Sequence, residues 1–207
     1  MTTPVAALDG SHGRDRRVRS RSTSAAVVVV VGCVLLAARP VLARLPFGAS
    51  GAPAVLIAGF VVLLAVGARW PIPEAAGTAT AGTWCDPRTW AAIAVGLAAF
   101  TLGRVVGGGH PAVPVGWFVI ATNTLAALAE EAFFRRLCFG LLAPAGVGWA
   151  IVGSSLLFAA VHVSTYGLWV LPLDLAAGLV LGWQRAATGS WAAPAVTHVL
   201  VNLMVVL

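Results

Sequence analysis

Ala129-Glu130-Glu131-Ala132-Phe133-Phe134-Arg135-Arg136 stands inside an apolar run that extends from about residue 116 to 142. A charge at the centre of a membrane helix costs about 2.5–3.5 kcal/mol on insertion scales. Such groups persist where they pair, face an aqueous cavity or react. On a helix, Glu131 and Arg135 are i and i+4 and share a face, so they can pair. Glu130 lies about 100° further round and is not committed to that pair. Glu130 is therefore the expected working carboxylate, with Glu131 and Arg135 as its support and Arg136 marking a helix end.

Two further polar pairs occur on later apolar segments. Phe158 and His162 are i and i+4, with Ser155 one turn back on the same side. His198 and Asn202 repeat the spacing near residue 200. An imidazole can donate, accept or coordinate, and an Asn amide can donate to a developing oxyanion. A carboxylate, two histidines and an amide on three hydrophobic segments point to activation of water inside a membrane.

The surrounding composition sets the stage for this chemistry. Of the 207 residues 59% are hydrophobic and only 10% charged, too apolar for an ordinary soluble domain. The formal net charge of +6 owes much to Arg14, Arg16, Arg17, Arg19 and Arg21, which precede the first apolar run. That pattern fits a disordered cytoplasmic tail over residues 1–24 that orients the first helix. Nucleic-acid binding is not indicated, because no folded or aromatic motif accompanies the arginines. Cys33, Cys85 and Cys138 are scattered without a CxxC, so neither a disulfide framework nor a thiolate metal site is expected. The first apolar segment has the charge and small residues of a signal peptide, but the spans that follow favour an uncleaved helix.

Seven hydrophobic segments are legible, near 25–45, 52–69, 89–106, 116–142, 146–163, 167–184 and 190–207. The clearest break is the Pro-, Gly- and Thr-rich stretch from Trp70 to Arg88, and a second lies at Gly107-Gly108-Gly109-His110-Pro111. Pro40 kinks or ends the first helix. The expected fold is all-α: a polytopic membrane bundle of about seven transmembrane helices. Residues 25–115 form the N-terminal spans and residues 116–207 the catalytic bundle. The absence of an internal repeat counts against a transporter built on inverted repeats.

Depth arithmetic brings the clusters together. Counted from the turn near Pro144, Glu130 and His162 lie roughly 18 and 24 Å along their helices. Counted from Gly189, His198 and Asn202 lie roughly 13 and 19 Å along theirs, on the same side. Asp174 falls at about the same level but belongs to none of the clusters; pairing with Arg135 or Arg136 is the expectation for it, with tuning of substrate access as the alternative.

In these residues the chain resembles the CPBP group, which contains type II CAAX prenyl endopeptidases and bacteriocin-processing or Abi-like immunity membrane proteins. The group's EExxxR, FxxxH and HxxxN motifs correspond in order and spacing to Glu130 to Arg135, Phe158 to His162 and His198 to Asn202. Thr188-Gly189-Ser190-Trp191-Ala192-Ala193-Pro194 resembles the family's approach to the third motif. The resemblance covers roughly residues 116–207.

It implies an intramembrane endopeptidase acting on a membrane-associated protein or peptide, in a multi-pass protein of a bacterial plasma membrane. Glu130 and His162 would activate water, His198 and Asn202 would stabilise the oxyanion, and Glu131 and Arg135 would organise the site. No cofactor is favoured; zinc held by Glu130, His162 and His198 is the alternative. A non-enzymatic immunity or scaffold protein of the same fold is the competing function. The Arg distribution puts the N-terminus inside and the site in the outer half, whereas the prenyl endopeptidases imply an opening toward the cytoplasm.

Overall fold

The computed structural model describes residues 9–44, 48–72, 84–107 and 116–206. Among these there is no strand. The helices are α1 (Asp9–Ala37), α2 (Arg39–Leu42), α3 (Gly48–Arg69), α4 (Pro87–Val106), α5 (Trp117–Glu131), α6 (Phe139–Leu142), α7 (Val147–Tyr166), α8 (Leu171–Thr188) and α9 (Ala192–Val206). A π-helical segment, Ala132–Cys138, joins α5 to α6. Each of the seven apolar segments thus appears as helix. Most of the Trp70–Arg88 break, and the break after Gly107 up to residue 115, lie outside the described residues.

Among the described residues, three helices are long and apolar enough to cross a membrane: Gly51–Arg69, Pro87–Val106 and Val147–Tyr166. Thr23–Ala37 and Ala192–Met204 are apolar but shorter. Seven spans were expected, and length and composition support three. The run from Trp117 to Leu142 is interrupted by four charged side chains, and α8 carries Asp174, Gln184 and Arg185. Of the tail expected over residues 1–24, residues 9–24 are described. Helix α1 begins at Asp9, so its Arg-rich stretch from residue 9 to 24 has helical backbone. Arginine is a good helix former, and the apolar turns that follow propagate the helix backwards. Residues 1–8 lie outside the described residues.

The distribution of polarity is that of a membrane protein. Val27, Val30, Val31 and Val34 of α1 are more than half exposed, while Glu131, Arg135, Gln184 and Thr197 are wholly buried. Lipid supplies little hydrophobic drive for pairing one apolar helix with another, so close backbone approach and polar ties hold the bundle. A Cβ on Gly67 would stand 2.6 Å from the carbonyl carbon of Ala132, so α3 rests directly on the main chain of the π segment. A Cβ on Gly178 would stand 2.9 Å from Ser155 Cβ, which brings α8 equally close to α7.

Polar ties complete the frame. Arg136 donates to the carbonyls of Gly67 at 2.8 Å and Trp70 at 3.0 Å, satisfying the C-terminal end of α3. Gln184 donates to Ala92 O at 2.7 Å and Thr197 Oγ1 at 2.9 Å, linking α8 with α4 and α9. The apolar core at the level of the π segment contains Leu36, Phe60, Phe133, Phe134, Leu137 and Phe158.

Candidate active site

The site is assembled by the end of α5, the π segment, and the facing stretches of α7, α8 and α9. Glu130 and Glu131 close α5 and are both buried. Directly after them the helix widens, with Arg135 and Arg136 inside the π segment. Such widened turns are frequent at functional sites. The carbonyl of Arg135 receives Arg185 Nε at 3.1 Å, and the Arg185 guanidinium lies over the Phe139 ring at 5.1 Å.

Glu131 and Arg135 meet as the spacing predicts, Nε to Oε2 at 3.4 Å, with both side chains completely buried. The Arg135 guanidinium also lies 5.0 Å over the Phe158 ring and approaches Ser154 O at 3.5 Å. His198 Nδ1 stands 2.9 Å from Glu131 Oε1. Since the carboxylate only accepts, Nδ1–H is the donor. Glu131 therefore ties α5 to α9, a contact that spacing along single helices could not reveal.

Glu130 points elsewhere, as its offset around the helix requires. Its Oε2 is 3.8 Å from His162 Nε2. Its Oε1 is 2.8 Å from Nη1 of Arg39, at the start of α2. On the far side of the imidazole, Nδ1 lies 2.8 Å from Phe158 O and 3.7 Å from Asp174 Oδ2. The Phe158 carbonyl can only accept, so Nδ1 carries the ring proton and Nε2 offers a lone pair toward Glu130. Phe158 packs against both histidines, with ring centroids 4.6 Å from His162 and 5.9 Å from His198.

The four side chains expected to work together do not all touch. Glu130 and His162 face one another, and His198 joins through Glu131. Asn202, one turn beyond His198, is half-buried and has no side-chain partner among the described residues. Asp174 corrects an expectation: it faces His162, not Arg135 or Arg136. Residue 174 lies in the first turn of α8, and the packing of α8 against α7 at Gly178 presents that turn to His162. Arg39 was missed altogether, because its only local signal is an Arg-Pro pair after an apolar run.

Residues 111–204 match the family model described as type II CAAX prenyl endopeptidase Rce1-like. Over this segment, a little under half of the chain, the protein is similar to the Rce1-like family. No curated protein and no solved structure matches significantly. The Rce1-like segment contains all three motifs and Asp174, whereas Arg39 and helices α1 to α4 lie outside it. The family implies a protease, and with the apolar helices it indicates an integral membrane protein.

The described residues contain no group of three His, Cys, Asp or Glu side chains close enough to share a metal ion. Glu130, His162 and His198, the alternative zinc ligands, do not form such a group here.

Proposed function

We propose that this protein is an intramembrane endopeptidase that hydrolyses a peptide bond in a membrane-associated protein or peptide, using water activated by Glu130 and His162. The observation that carries this reading is the 3.8 Å approach of Glu130 Oε2 to His162 Nε2 from two different helices. Both atoms are acceptors, so neither can bond to the other without a donor between them. A water molecule has two hydrogens and suits that role.

As the water oxygen attacks the carbonyl carbon, its proton passes to the Glu130–His162 pair. The C=O π electrons move to oxygen, giving a tetrahedral oxyanion. Asn202 supplies an amide N–H to it. His198, held through Nδ1 by Glu131, has Nε2–H left to donate when the ring is doubly protonated. The proton held by the pair then goes to the leaving nitrogen as the C–N bond breaks and the oxyanion reforms C=O, releasing a carboxylic acid and an amine. Asp174 fixes the orientation of His162 and offsets positive charge on it when the ring takes the proton.

The test compares wild type with Glu130→Gln, purified and incubated with a membrane proteome, with new N-termini read by mass spectrometry. New termini with wild type and none with Glu130→Gln are expected. Equal cleavage by the two proteins would overturn the assignment, and a phenotype that survives Glu130→Gln would favour the immunity or scaffold reading.

A further inference from the structure

We infer that Arg39, from the N-terminal helices outside the family-matched segment, is the positioning residue for Glu130. This rests on the protease reading above. Glu130 and Glu131 are both buried, and a buried carboxylate needs its own counter-charge. Glu131 already has Arg135 and His198. Among the described residues, the cation in contact with Glu130 on the side away from His162 is Arg39, at 2.8 Å.

The guanidinium is itself held. Its Nε donates to Leu36 O at 2.9 Å, in the last turn of α1, and its carbon lies 5.9 Å over the Phe60 ring of α3. The break at Ala38, followed by Pro40 in the first turn of α2, turns the chain there and sets Arg39 toward α5. Arg39 takes only Oε1 of Glu130, so Oε2 stays directed at His162 Nε2. An arginine that locked the carboxylate out of use would bind both oxygens in its planar fork. Here the second arm, Nη2, is buried without a partner among the described residues. One-armed contact leaves one carboxylate oxygen for chemistry and fixes the other.

The experiment uses the full-length protein and a membrane-embedded peptide bearing the cleavage sequence identified with wild type. Arg39→Ala is expected to lower kcat by about 10- to 100-fold with KM within about twofold, the pattern of a lost transition-state geometry. Arg39→Lys, which keeps one donor, is expected to restore most of the rate. Thermal unfolding of Arg39→Ala, Glu130→Gln and the double variant supplies a readout that needs no substrate. Removing Arg39 leaves a buried charge, so Glu130→Gln is expected to raise the melting temperature of Arg39→Ala.

A rate for Arg39→Ala equal to or above wild type would overturn the inference, the faster rate marking Arg39 as a lock. Equal inactivity of Arg39→Lys and Arg39→Ala, with additive melting shifts, would overturn it in favour of a purely structural role. A wild type that cleaves nothing would defeat the protease reading and the catalytic sense of this one. The melting cycle would then still report whether Arg39 and Glu130 are coupled.

Discussion

The two sides of the site are closed in different ways. On the Glu131 side, the carboxylate and Arg135 are entirely inaccessible, and His198 completes a compact cluster braced on Phe158. On the Glu130 side, the chain Arg39, Glu130, His162 and Asp174 crosses four helices, with a tight link from Arg39 at 2.8 Å and looser ones to His162 at 3.8 and 3.7 Å. The side chains of Arg39, His162 and Asp174 keep between 11% and 20% of their exposure. Two carboxylates adjacent in sequence thus fall into different environments, Glu131 wholly enclosed and Glu130, at 4% exposure, bordered by three partly exposed side chains. The difference follows from the helix itself, which turns consecutive side chains about 100° apart.

The largest effect should come from breaking the closed side. Arg135→Ala leaves the buried Glu131 with His198 as its remaining partner among the described residues, and breaking a buried charge pair costs about 3–5 kcal/mol. The expected result is loss of folded protein in thermal unfolding; a normal melting temperature would erase the distinction between the two sides. The next effect sharpens the comparison from the end that does not pair. Asn202→Ala should lower kcat by about 100-fold, as expected of a lost oxyanion donor, without changing stability. A rate close to wild type would remove Asn202 from the chemistry. Smallest is Asp174→Asn, which keeps the shape beside His162 but not the charge. It should slow cleavage by about tenfold, near 1.4 kcal/mol of barrier, measured as kcat on the same peptide. An unchanged rate would show that the Phe158 carbonyl alone suffices to hold the imidazole.

What sequence could reveal was whatever a single helix determines. Runs of apolar residues marked the helical segments, and i, i+4 spacing predicted the meeting of Glu131 with Arg135. It also separated Glu130 from that pair. Contacts made between distant segments were not legible. Asp174 has no local partner, and only the approach of α8 to α7 turns it to His162. Arg39 acts 91 residues away from Glu130, and nothing in its surroundings distinguishes it from an ordinary helix-end arginine. The π segment left no pattern either, since it changes which backbone groups pair without requiring a particular side chain. Apolar length alone does not fix the number of spans, because it leaves out the charges and polar groups that the bundle takes inside.

Gly67 has a consequence for tolerance. Because α3 meets the π segment main chain to main chain, no side chain there can swing aside to absorb a displacement. Phe60, two turns before it on the same helix, is the surface on which Arg39 lies, and Glu130 stands just before the peptide that Gly67 touches. The contact works as an end-stop that gauges the gap between the arginine and its carboxylate. One methyl group added at that stop would be read out many ångströms away, as a change in the reach of Arg39.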